Sequence, residues 1–180
     1  MTHLLFPVLI GIIPHTAPPL LAVKTNVPAW GVTVMNIEGE YLFSRRLSLS
    51  LPLYWCPWFI SRKFALRTFA TQPELRFRFN HGIKGHYLGV HGSLAWFNLQ
   101  NGDYRYQDVR RPLLGGGISY GYSLVFKKHW IADFSAGIGV ASMQYDRFYN
   151  VDNGARIDTR RTLYWGIDKI SISIGYLIDL

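Results

Sequence analysis

One pair of residues has the types and the spacing that nucleophilic catalysis requires. His91 and Ser93 are two residues apart in HYLGVHGSLAWF, so on a strand their side chains would lie on the same face. A serine beside a histidine is the beginning of a hydrolase site, in which a carboxylate orients the imidazole. Glu74, in the preceding segment, is the obvious carboxylate. A hydrogen-bond network inside the protein explains the same residues, and we therefore predict no catalytic residues and no enzyme activity.

The other residues that could bind a ligand do not form a known motif. The six histidines are not spaced with cysteine or carboxylates as metal ligands are. Gly115–Gly117 lack the Lys-Ser/Thr ending of a phosphate loop and open no helix. We therefore predict no metal and no cofactor. Tyr104, Arg105 and Tyr106 resemble a platform for single-stranded nucleic acid, but the basic residues form no stripe along one element, so we predict no nucleic-acid partner.

Alternation with a period of two runs through the chain and predicts the elements that position these residues. In the last segment, Ile170, Ile172 and Ile174 alternate with Ser171 and Ser173, which indicates a strand with one apolar face. Eight segments show this alternation: LLAVKTNV, VMNIEGEYLF, RLSLSLPLYW, FALRTFATQPELRFRF, HYLGVHGSLAWF, LLGGGISYGYSLVF, HWIADFSAGIGVASM and DKISISIGYLIDL. The sequence therefore predicts an all-β protein of about eight strands.

The links between these segments alternate in length. SRR, NHGIK and KKH are tight turns, whereas PAWG, PWFISRK, NLQNGDYRYQDVRRP and DRFYNVDNGARIDTRR are longer or irregular. This alternation predicts a closed, antiparallel, up-and-down transmembrane β-barrel with short periplasmic turns and longer outer loops. Aromatic residues at both strand ends agree with two interfacial belts. They are Phe43, Phe79, Phe126 and Trp130 by the short turns, and Trp55, Trp58, Trp96, Phe97, Tyr145, Tyr164 and Trp165 by the long loops.

The composition of the two strand faces indicates which one points inward. Glycine and serine dominate one face, together with charges of both signs, which can fill a narrow interior as paired ions. We predict that this interior network contains Lys24, Glu38, Glu40, Glu74, Arg76, Arg78, His91 and Asp133. Such a plugged lumen would not be an open pore. A soluble barrel, with the apolar face inward, is the alternative.

Basic residues concentrate in the two longest predicted loops, Asn98–Pro112 and Asp146–Thr162. Arginine holds phosphate groups bidentately, and the net charge of +8 suits a phosphate-bearing membrane surface. The candidate binding residues are Arg105, Arg110, Arg111, Arg147, Arg156, Arg160 and Arg161. We therefore expect a structural or binding role in the bacterial outer membrane, toward lipopolysaccharide or another envelope protein. A lipid-modifying enzyme and a small pore are the alternatives.

The first nineteen residues differ from the rest. LLFPVLIGII has about half of the roughly 20 apolar residues that a membrane-spanning helix needs. A secretory signal has a Lys or Arg before its apolar region, and none precedes this one. We interpret 1–19 as a degenerate signal-like leader or a flexible tail, and 20–180 as the barrel. Cys56 is the only cysteine, so no internal disulfide can form.

The chain resembles a bacterial outer-membrane group called domain of unknown function 3575. The resemblance lies in LAVKTN (21–26), TQPELRFRF (71–79), GHYLGVHG (85–92), GGGISYGYSL (115–124), KHWIADFSAGIGVA (128–141) and the closing strand. It implies an outer-membrane barrel of unestablished activity, without catalytic residues to carry over. Two features depart from the family pattern. Val27, Pro28 and Ala29 replace an expected Leu-Tyr, which would shorten the first strand, and Leu180 replaces the aromatic residue usual at the end of bacterial barrels.

Overall fold

The computed structural model describes residues 20–58, 64–108, 111–151 and 154–179. The predicted leader, 1–19, and the terminal Leu180 lie outside these ranges. The elements are β1 (Leu20–Asn26), α1 (Val27–Gly31), β2 (Met35–Leu42), β3 (Leu47–Cys56), β4 (Phe64–Thr71), β5 (Glu74–Arg78), β6 (Gly85–Asn101), β7 (Tyr104–Gln107), β8 (Leu113–Phe126), β9 (Trp130–Tyr149) and β10 (Arg156–Asp179).

The strands form one antiparallel sheet that returns on itself as a ring. β1 pairs with β2 on one side and with β10 on the other, where the register runs from Leu20 opposite Asp179 to Asn26 opposite Ser173. β4 and β5 share one position between β3 and β6, and β7 and β8 share the position between β6 and β9. Ten strands therefore occupy eight positions, and the predicted all-β, antiparallel, eight-strand arrangement is confirmed.

The segment predicted as the fourth strand is interrupted at Gln72 and Pro73. Leu53 pairs with Thr71 before the interruption and Ser50 with Glu74 after it, so the register is the same on both sides. Pro73 has no N–H to donate, which removes a ladder hydrogen bond there. The hydroxyl of Thr71 instead donates to the carbonyl oxygen of Pro52, at 2.7 Å.

The two longest predicted loops are largely strand, and that part of the prediction was wrong. In the first loop, β6 continues to Asn101 and β7 lies within 98–112. In the second loop, β9 continues to Tyr149 and β10 begins at Arg156. In these extensions polar residues occupy both faces, so the contrast on which the period-two analysis depends is missing. Backbone pairing nevertheless continues, for example between Arg160 and Tyr145.

The first strand ends at Asn26, one residue earlier than predicted, and the short helix α1 follows where a simple link was expected. Pro28 lies in its first turn, where the fixed φ of proline suits a helix and its missing N–H costs nothing. The Trp30 indole N–H donates to the Thr25 hydroxyl at 2.7 Å. These features place α1 beside the end of the ring that carries the long links, here called the long-link end.

The polarity of the ring is the reverse of that in a soluble core. Buried side chains are mainly polar or charged; Glu40, Glu74 and Arg78 are completely buried. The outward face carries large apolar residues, and Val90 and Ile170 are each 64% exposed. A small apolar cluster of Ala22, Ile83, Ile131 and Leu177 packs inside. The Leu177 backbone N–H donates to the carbonyl oxygen of His129, in a short turn, at 2.7 Å.

Candidate functional site: the charged interior and the basic long-link end

Arg76 is the centre of the buried ion pairs. It projects inward from β5, and its guanidinium lies 2.5 Å from Glu40, 2.5 Å from Glu74 and 3.0 Å from Glu38. Glu38 and Glu40 both belong to β2 and are two residues apart, which places them on one face. One arginine therefore contacts three carboxylates on two strands, as its planar fork of donors permits.

Lys24 and Arg78 complete the pairing of these carboxylates. The Lys24 ammonium lies 2.7 Å from both Glu38 and Glu40 and 3.5 Å from Asp133. Arg78 bonds to Glu40, and also donates to the Ser123 hydroxyl at 3.2 Å. The contacts with Ser123 and Asp133 therefore reach β8 and β9, which are not neighbours of β5 and β1 in the ring.

Tyr87 and Lys169 join the remaining parts of the network. The Tyr87 hydroxyl donates to Asp133 at 2.7 Å, while its ring faces the guanidinium carbons of Arg76 and Arg78 at 4.7 and 5.0 Å. Lys169 donates to Glu74 at 2.7 Å. Lys169 was not among the predicted interior residues, although it shares the parity of the inward residues Ser171 and Ser173.

All eight residues predicted for the interior network are buried inside the ring. Four basic side chains of this interior meet four carboxylates, so their charges balance. The basic ones are Lys24, Arg76, Arg78 and Lys169, and the acidic ones are Glu38, Glu40, Glu74 and Asp133. We call these eight residues the charged interior. Removing these charges from water costs much free energy, and the dense pairing offsets that cost. Loss of one partner would leave a buried charge uncompensated.

His91 and Ser93 are brought to the same region but not into a catalytic pair. His91 Nε2 lies 2.8 Å from Asp168 Oδ2, and its Nδ1 lies 4.0 Å from Glu74. The Ser93 hydroxyl accepts a hydrogen bond from the Gln72 amide at 3.0 Å. The imidazole therefore has a carboxylate partner that the sequence did not indicate, and the serine belongs to a separate contact.

A cavity of about 510 Å³ lies where α1 meets the interior at the long-link end. Pro28 and Ala29 of α1 form part of its wall, and Gln72, Ser93 and Asp168 supply polar groups. Asp168 Oδ1 is enclosed there without a hydrogen bond to the described residues. The polar groups of this cavity continue those of the charged interior toward the long-link end.

Most of the predicted binding arginines are paired within the long-link end. Arg147 and Arg160 contact Asp158 at 3.1 and 3.0 Å, and Arg156 contacts Asp146 at 3.4 Å. Arg161 donates to Gln144 and Arg111 to Ser142, both at 3.2 Å. The guanidinium of Arg105 lies 4.9 Å from the centre of the Phe148 ring. Arg110 lies outside the described residues.

The arginine contacts change the acidity of groups at this end. The hydrogen bond from Arg160, together with the charge of Arg147, lowers the pKa of Asp158. The same bond raises the pKa of Arg160. Burial raises the pKa of Asp108, whose carboxylate accepts a hydrogen bond from the Phe97 backbone N–H at 3.1 Å. The basic surface is therefore partly neutralised by its own carboxylates.

The aromatic residues predicted for two belts divide into exposed and covered groups. Trp55, Trp96 and Trp165 at the long-link end and Trp130 at the short-turn end are exposed on the outward face. Phe97 and Tyr145 instead contact each other, with ring centres 6.5 Å apart. Both are only partly exposed.

Comparison with known proteins identifies the family but no activity. In the described part of the chain, no three His, Cys, Asp or Glu side chains form a group that could hold a metal ion. None of the described helices is both long and apolar enough to cross a membrane. No curated protein matches the chain. The family model described as "Protein of unknown function (DUF3575)" matches residues 4–178, which confirms the resemblance, and the chain belongs to this family.

Proposed function

We propose that this protein is a transmembrane β-barrel of the bacterial outer membrane with a plugged polar interior. The reversed polarity carries the proposal, since charged side chains are enclosed while large apolar ones face outward. Such a surface in water would expose far more contiguous apolar area than a soluble protein tolerates. In a bilayer the same residues contact hydrocarbon, and a ring of strands leaves few backbone groups without partners.

The dimensions of the apolar surface agree with a bilayer. Outward apolar positions on β9 run from Trp130 to Val140, which at about 3.3 Å per residue is ~33 Å along the strand. A strand tilt of about 40° reduces this to ~25 Å, the height of the apolar band in outer-membrane barrels. Trp130 then lies at the periplasmic interface and the long-link end faces outward from the cell.

The proposed role is structural or binding rather than enzymatic, and its ligand is lipopolysaccharide or a partner protein. The basic long-link end supports this role because guanidinium groups recognise phosphate well. The charged interior supports a sealed lumen, since paired side chains fill it. The different hydrogen-bond partners of His91 and Ser93, which are Asp168 and Gln72, support this non-enzymatic role.

Gel mobility tests the proposal directly. We expect the detergent-extracted, unboiled protein to migrate differently from a boiled sample and to be recovered in the outer-membrane fraction, because a closed barrel resists unfolding by detergent. A known outer-membrane barrel and a soluble β-protein are the controls. Recovery of a soluble protein with no mobility shift would contradict the proposal and favour the soluble barrel.

A further inference from the structure

Two neighbouring cavities on the outward face, near the long-link end, share residues. The lower one, about 270 Å³, is lined by Trp55, Phe69 and Trp96 together with Arg67 and Asn98. The upper one, about 340 Å³, is also lined by Arg67 and Asn98. The two cavities therefore adjoin each other at Arg67 and Asn98. Together they place an aromatic part beside a basic part, and we call the pair the girdle groove.

Strand register places both parts on the same face. Phe69 pairs with Trp96, and one same-face step farther Arg67 pairs with Asn98. The next step brings Ala65 opposite Gln100, and Gln100 is opposite Arg105 of β7. Directly paired residues project from the same side of a sheet. Along the strand, Arg67 therefore lies about 7 Å beyond the exposed pair of Phe69 and Trp96. Arg105 lies beside the next same-face position, opposite Gln100.

The upper part of the groove has the chemistry of an anion site. Arg67 and Arg105 contribute positive charge, while Asn98, Gln100 and Asn150 contribute amides. None of the described residues that line this upper cavity is a carboxylate. The Nε of Arg105 is enclosed and makes no hydrogen bond to the described residues. Its guanidinium stacks on Phe148, which holds the fork in one orientation and leaves donors for a ligand.

The lower part has the chemistry of an acyl-chain contact. Trp55, Phe69 and Trp96 are 51%, 44% and 43% exposed, and the rings of Phe69 and Trp96 lie 6.0 Å apart between centres. Asp108 also lines this part, and one of its carboxylate oxygens accepts the Phe97 N–H. Aromatic residues at this level mark the boundary between hydrocarbon and headgroups.

We propose that the girdle groove binds the phosphate headgroup of a glycolipid in the outer leaflet, with one acyl chain along the aromatic part. The phosphate contacts Arg67 and Arg105, and the amides bind sugar hydroxyls, which is the chemistry of lipopolysaccharide. This inference rests on the proposed function and deepens it by assigning the lipid to one place. It selects Arg105 from the predicted arginines and adds Arg67, which lies within a strand and outside the predicted loops.

The test uses the full chain folded in detergent micelles and titrated with diphosphoryl lipid A, followed by tryptophan fluorescence. Arg67→Gln/Arg105→Gln removes two charges from the groove, and we expect binding to weaken about tenfold for each arginine. Arg46→Gln/Lys84→Gln is the matched control, because it also removes two positive charges, but from exposed short-turn positions at the other end of the ring. We expect the control to change affinity by less than about threefold.

Other arms distinguish the sources of the phosphate and the causes of a null result. Inorganic phosphate at the same concentration should not compete; equal competition would overturn the lipid assignment. Equal weakening by both double variants would also overturn the groove, leaving only general charge attraction. Arg105→Lys keeps the charge but loses the planar fork of donors, and it should bind lipid A at an intermediate level. This single variant keeps the inference testable if the double variant fails to fold. If the unmodified protein shows no mobility shift on boiling, the proposed function is contradicted. If the Arg67→Gln/Arg105→Gln variant shows the mobility shift but binds lipid A as the unmodified protein does, only this inference is contradicted.

Discussion

Arg76 Nη1 lies 2.5 Å from Glu40 Oε2, although their strands, β5 and β2, are separated in the ring by β3. The contact between Arg76 and Glu40 therefore passes through the interior, across the inward face of β3. Ser48 of β3 also donates to Glu40, at 2.6 Å, so the intervening strand joins the same carboxylate. Stability of the ring thus depends on side chains as well as on backbone ladders.

Replacing Arg76 with methionine should strongly destabilise the protein. Arg76→Met leaves Glu38, Glu40 and Glu74 with fewer partners in an enclosed space, and breaking a buried ion pair costs about 3–5 kcal/mol. Urea unfolding in lipid bilayers, followed by gel mobility, measures the free energy. Arg46→Met, at an exposed turn position, is the control and should stay within about 0.5 kcal/mol. Equal effects of both variants would refute the central position of Arg76.

A methyl group at Gly121 should also destabilise the ring. A Cβ there would overlap the Tyr87 ring and lie 2.7 Å from the backbone oxygen of Phe134. Tyr87 is packed against Arg76 and Arg78, so it cannot move freely, and overpacking costs about 1–3 kcal/mol. Gly39→Ala is the matched control, since nothing lies within 4 Å of its added Cβ. The same unfolding experiment compares them, and similar losses in both would argue against a tightly filled interior.

Acid should loosen the hairpin formed by the long-link ends of β9 and β10. Because the folded pKa of Asp158 is lowered below the usual 3.8, its stabilising contribution is present above that value and is lost as pH falls through the folded pKa. Hydrogen-exchange protection around Arg147 and Arg160 should therefore stay constant above about pH 5 and decrease as the pH falls below about 4. Asp158→Asn should show a smaller decrease, and an identical decrease would exclude Asp158 as its source.

The filled interior should carry no ion current. The paired side chains of the charged interior occupy a space that eight strands make only wide enough for side chains. Planar-bilayer recording of protein that shows the mobility shift should therefore give no stable conductance, while a large porin in the same bilayer conducts. Reproducible channel steps from the inserted protein would contradict the plugged interior and favour the small pore.

The sequence predicted the strands best where one face is apolar and the other is not. Lys24 and Glu38 could be placed inward because their apolar neighbours alternate with them. β7 and the long hairpin could not be predicted, since outside the apolar band both faces are polar. Lys169 shares the parity of Ser171 and Ser173 and could have been predicted. Asp168 was missed for another reason. The register between β9 and β10 shifts between Ile167 and Lys169, so Ile167 and Ile170 both face outward and the alternation breaks.

Ring closure also has a kinetic meaning. Lys24 lies on the first strand, yet it contacts Asp133 on the ninth, and that first strand pairs with the last. The charged interior can therefore become neutral only after both ends of the chain have met. A half-assembled ring would leave enclosed ions of the charged interior without partners, which is costly. Assembly should consequently proceed as one cooperative closing event, with the earliest and latest segments joining together to complete it.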